Sequence, residues 1–174
     1  QNNNVSNKKR AEKMIRKEIP ATAELKIRHV GFLEMSEFYR WLKRWFEFKG
    51  YWDNSNEKSY SETIMPNGKK IDISWSCKKS KTTYFIYHID VIFLFIGVNT
   101  TEVQQADRKV KIEKGDFEIR LKAYLEKNAP DSIFWKFYDR IILKRNIDIY
   151  LNELYETTYT LHDQIKAIFD QYVQ

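Results

Sequence analysis

From Tyr84 to Phe95 the chain is apolar in both of its alternating residue sets. Tyr84, Ile86, Ile92 and Leu94 fall in one set, with His88 and Asp90 between them. Phe85, Tyr87, Ile89, Val91, Phe93 and Phe95 make up the other. Successive side chains on a strand point to opposite faces. An antiparallel sheet with one wet face keeps that face polar. A strand apolar on both sides must therefore lie inside a sheet that something covers twice. The covers open to it are the chain's own helices, a second copy, or an apolar ligand. Tyr84, Ile86, His88, Asp90 and Ile92 are accordingly the candidate ligand or interface residues on this strand.

The flanking segments extend the sheet. Lys58–Ile64 is a strand that ends at Pro66-Asn67-Gly68, where Pro fixes φ and Asn and Gly tolerate positive φ. In Lys69–Cys77, Ile71, Ile73, Trp75 and Cys77 alternate with Lys70, Asp72, Ser74 and Ser76. Phe117, Ile119, Leu121 and Ala123 alternate with Glu118, Arg120 and Lys122. Reversals placed at Asn99-Thr100 and Lys114-Gly115-Asp116 divide residues 57–125 into a five-strand antiparallel meander. Glu24–Val30 alternates too and adds a possible sixth strand.

Two regions read as helical. Phe38, Trp41, Leu42 and Trp45 follow helical spacing, with Ser36 as N-cap and Gly50 after the last turn. Pro130 precedes a second region, with a helix over 131–145. From Ile147 the apolar spacing is 4-3-4-3 through Leu151, Leu154, Thr158, Leu161, Ile165, Ile168 and Tyr172. That 3.5-residue repeat suits a seam against another helix. Leu161, Ile165 and Ile168 lie on that seam, and its partner is expected first within the chain, in the 131–145 helix or the aromatic helix 36–49, and otherwise in the same segment of a second copy, a homo-oligomer contact through helix 147–172.

Charge divides unevenly. The net is +6 over 174 residues. Lys8, Lys9, Arg10, Lys13, Arg16 and Lys17, against Glu12 and Glu18, put +4 in the first nineteen residues. That leaves +2 for the rest. Residues 1–23 read as a basic arm, with a short helix over Lys8–Ile19 and a weak contact with nucleic acid or anionic lipid. Removing residues 1–19 is expected to leave the fold nearly unchanged.

Little in the sequence points to catalysis. The phosphate-binding glycine loops, HExxH and GxSxG are missing. His88 and Asp90 share a face, but i, i+2 side chains on a strand stand about 7 Å apart, too far to hydrogen-bond directly. One cysteine, Cys77, excludes an internal disulfide and fits a reducing, cytoplasmic compartment. No apolar run reaches the length of about 20 residues that a transmembrane helix needs. No residue is assigned to catalysis, a metal or a cofactor.

The expected fold class is therefore α+β. An antiparallel five- to six-strand β-meander packs with an aromatic-rich helix and a long C-terminal helical pair, in a single domain over 24–174. The expected function is a non-enzymatic binding or interaction module that self-associates. The alternatives are a carrier of an apolar small molecule, or attachment to nucleic acid or acidic membrane through the arm. By element order alone, the carrier is similar to helix-grip, ligand-cavity domains.

Overall fold

In the sheet, residue alternation separates a dry inner face from a mixed outer one. The computed structural model describes residues 14–51, 56–105, 108–130 and 144–172. The elements are β1 (Met14–Pro20), β2 (Leu25–Leu33), α1 (Met35–Lys49), β3 (Glu57–Met65), β4 (Gly68–Ser80), β5 (Phe85–Gln105), β6 (Arg108–Pro130) and α2 (Lys144–Asp170). The sheet is antiparallel, in the order β1-β6-β5-β4-β3, and β2 pairs with β6 as well. β1 and β2 occupy successive stretches of one edge of β6, Pro20 opposite Tyr124 and Leu25 opposite Leu121.

The α+β class and the antiparallel sheet are as expected, with two helices among the described residues. Ile71, Ile73, Trp75, Phe117, Ile119 and Leu121 are all buried, as their strict alternation requires. On the other face, Lys70 pairs with Asp72 at 2.9 Å and Arg120 with Glu118 at 2.5 Å. α1 buries Phe38, Leu42, Trp45 and Phe46 on the inner face. Its cap differs from expectation. Glu34 takes the N-cap position without a side-chain bond, and Met35 N donates instead to Glu113 Oε2 at 3.1 Å. The helix closes at Gly50, whose N–H donates to Glu47 O at 3.0 Å.

Two expected reversals are absent. β5 runs unbroken through Asn99-Thr100, and β6 runs unbroken through Lys114-Gly115-Asp116. The residues that suggested turns serve a β-bulge. Ile96 pairs with Asp116 and Asn99 with Lys114, so Gly97 and Val98 together face Gly115. Gly97 has φ 65°, which favours glycine at the extra residue of a bulge. After it, Val98 is buried where parity would have turned it outward. Gly68 packs against the bulge so closely that an added Cβ would lie 2.7 Å from the Gly97 carbonyl carbon. Four long strands thus replace the five-strand meander over 57–125.

The N-terminal expectation also changes. Met14–Pro20 is a strand on β6, not the end of a basic helix. Residue 1 to residue 13 lie outside the described residues. So does most of the helix expected over 131–145, and the described C-terminal helix is one long segment, Lys144–Asp170, rather than a pair. α2 lays Leu154, Thr158, Leu161, Ile165 and Phe169 into the core. Phe169, outside the 3.5-residue series, rests on the rings of Phe38 and His29, each centred 5.4 Å away. Among the described residues the seam faces β6, β2 and α1, and ordinary helical periodicity serves it at the C-terminal end.

Candidate ligand cleft

The inner face is not covered evenly. Between the first turns of α1 and the strands β3, β4 and β5 lies an open cleft of about 590 Å³. That volume falls in the range of small-molecule sites. Its floor is Ile71 and Ile73 from β4 with Phe93 and Phe95 from β5, all buried side chains of the inner face. Phe38 and Tyr39 form the α1 wall, and Tyr60 of β3, 57% exposed, stands at the mouth.

Polar groups gather at two points of this wall. The Tyr39 hydroxyl donates to Glu57 Oε2, and Trp75 Nε1 donates to the same oxygen at 3.4 Å. The Tyr39 ring meets Trp75 edge-on at 4.8 Å. Burial first, then the bond to Glu57, raises the Tyr39 phenol well above its ordinary pKa, so it stays a donor at neutral pH. Glu113, the acceptor from Met35 N, sits one helical turn away. Residues 35 and 39 are four apart, so the two points are separated by about 6 Å along α1. Arg40 is turned back on its own helix, paired with Glu37 and bonded to Ser36 O at 3.3 Å.

The residues singled out from the sequence lie elsewhere. Tyr84 lies just before β5, and Ile86, His88, Asp90 and Ile92 are on the outer face of that strand, Ile92 42% exposed. There His88 stacks on Tyr124, ring centroids 4.6 Å apart and 8° from parallel. Its Nε2 lies 2.9 Å from Glu126 Oε2, but off the hydrogen-bonding direction, and neither ring nitrogen makes a directed bond. Asp90 accepts from Ser76 Oγ at 2.8 Å instead of meeting His88. Burial lowers the His88 pKa below its ordinary value, although the Glu126 and Asp90 charges oppose the shift. Glu126 is already held by Arg16 at 3.1 Å and Asn128 at 2.8 Å. The group is a satisfied carboxylate beside a neutral imidazole.

Leu161 and Ile165 are fully buried within the chain, and Ile168 is half-buried against α1. Of the basic set, Arg16 and Lys17 are exposed on β1, while Lys8, Lys9, Arg10 and Lys13 lie outside the described residues. Among the described residues no group of three metal-ligating side chains occurs, and no helix is long and apolar enough to cross a membrane.

The cleft residues Tyr39, Glu57, Tyr60 and Glu113 carried no sequence signal. They come from one helix and two strands, and nothing in their spacing links them. The architecture is an antiparallel sheet whose first two strands pair with its last, with the two described helices on its inner face. Comparison of the chain with protein-family models, with curated proteins and with solved structures returned no match.

Proposed function

We propose that the protein is a binding module that holds a small, largely apolar molecule between α1 and the sheet. The observation that carries this reading is the 590 Å³ cleft with its floor of Ile71, Ile73, Phe93 and Phe95. Aromatic walls with a few converging polar groups are the usual lining of such sites. The test uses N-phenylnaphthylamine, whose fluorescence rises in apolar surroundings. Saturable binding is expected for the wild type. Ser36 is an exposed cleft residue, so Ser36→Trp should fill the mouth and weaken binding at least tenfold with the fold intact. Equal binding by both proteins refutes the reading.

A second reading rests on the outer face, where Val30, Phe32, Ile92 and Ile96 are 70%, 41%, 42% and 37% exposed. Apolar exposure of this kind suits contact between copies. Light scattering on the wild type and Ile92→Lys tests it, and a wild-type monomer at high concentration overturns it.

A further inference from the structure

The cleft's charge is as informative as its shape. Three charged side chains line it: Glu57, Glu113 and Arg40. Arg40 is answered on its own helix by Glu37. Glu57 and Glu113 have no cationic partner among the described residues. Glu113 spends one oxygen on the α1 backbone, and Glu57 takes both of its donors on Oε2. Glu57 lines the cleft, and no described residue donates to its Oε1. Around it stand the rings of Tyr39 and Tyr60, with Phe93 on the floor. Aromatic faces attract cations through the ring quadrupole, and a carboxylate beside them adds a charge-assisted hydrogen bond.

We infer that the ligand of this cleft is an organic cation: a protonated amine carried on an aromatic or aliphatic body. The ammonium donates to Glu57 Oε1 and rests against Tyr39 and Tyr60. The body lies on Ile71, Ile73, Phe93 and Phe95. This rests on the cleft being a ligand site, as proposed above. The protein's net charge is +6, so attraction at long range favours anions. Preference for a cation must come from the site itself.

Isothermal titration with three matched probes decides it: phenylbutylamine, phenylbutanol and phenylbutyrate. The amine is expected to bind at least tenfold more tightly than the alcohol, and the acid most weakly. Glu57→Gln should bring amine and alcohol within about threefold of each other. Tyr60→Leu, at an exposed position that the core does not need, should weaken the amine and spare the alcohol. Circular dichroism checks that both variants fold. Amine and alcohol binding equally to the wild type, or the acid binding best, overturns the cationic ligand and leaves the cleft a neutral or anionic site. Binding of none of the three removes the cleft as a ligand site, and the inference with it.

Discussion

Leu161→Ala measures how the long helix is held. Leu161 has no exposed surface, and its seam neighbours Thr158 and Ile165 have none either. Below it is the inner face of β6, where Leu121 and Ala123 are also fully buried. Leu→Ala in a core costs about 2–5 kcal/mol, depending on how far the surroundings collapse into the cavity. A sheet bonded on both sides of β6 collapses little, so the low end does not apply, and about 3–4 kcal/mol is expected. At roughly 2–4 °C per kcal/mol for a chain of this size, the midpoint falls by about 6–16 °C. Ile168→Ala, at a half-buried position, should cost about half as much. Urea unfolding followed by tryptophan fluorescence gives both values, and an unchanged m-value shows that the same surface is exposed. The wild type is measured at two protein concentrations a hundredfold apart. A cost under about 1 kcal/mol for Leu161→Ala would refute the packing argument. Wild-type stability rising with concentration would do so too, because that is the mark of a seam closed by a second copy.

Other consequences follow from single contacts. Burial depresses the His88 pKa below 6.5, so the folded protein binds this proton less readily than the unfolded chain. The contribution of neutral His88 is present above about pH 6.5 and is lost as pH falls through the lower folded value. Denaturant titrations between pH 7.5 and 5 should show that decline, flattened in His88→Phe, and equal slopes for both proteins count against it. Gly68→Ala places a methyl against the Gly97 backbone and should cost more than 2 kcal/mol by roughly the scale of overpacking and positive-φ strain combined, whereas exposed Ser61→Ala stays within about 0.5 kcal/mol in the same unfolding assay. Truncation through Pro20 removes β1 and bares the end of β6 from Tyr124 onward, so hydrogen exchange at Leu125 and Lys127 should accelerate strongly. Unchanged protection would show that β1 is dispensable.

The sequence by itself determined the local elements whose neighbours agree with them. The 3.6-residue spacing of Phe38, Leu42 and Trp45 specifies a buried helical stripe whatever packs on it. The two-residue alternation from Ile71 to Cys77 specifies one dry face, because a slip of one residue would bury Lys70 and Asp72. The double apolar character of β5 implied a cover on both faces, but both described helices pack on the inner face, and Ile92 and Ile96 of the outer face are 42% and 37% exposed. Glycine and asparagine were ambiguous. They permit a turn and a bulge equally, and only the pairing of Ile96 with Asp116 and Asn99 with Lys114 shows that the strands continue. The basic segment was ambiguous for a similar reason. Residues 14–20 have no strand pattern strong enough to compete with a helix, and their conformation comes from the free edge of β6. The heptad-like seam was real as a buried stripe, but a stripe does not name its partners, which among the described residues are the sheet and α1. The cleft was decided by tertiary structure alone. Tyr39, Glu57 and Glu113 are polar or aromatic residues of ordinary surface type, and they acquire a shared chemistry only when a helix crosses two distant strands and leaves a gap between them.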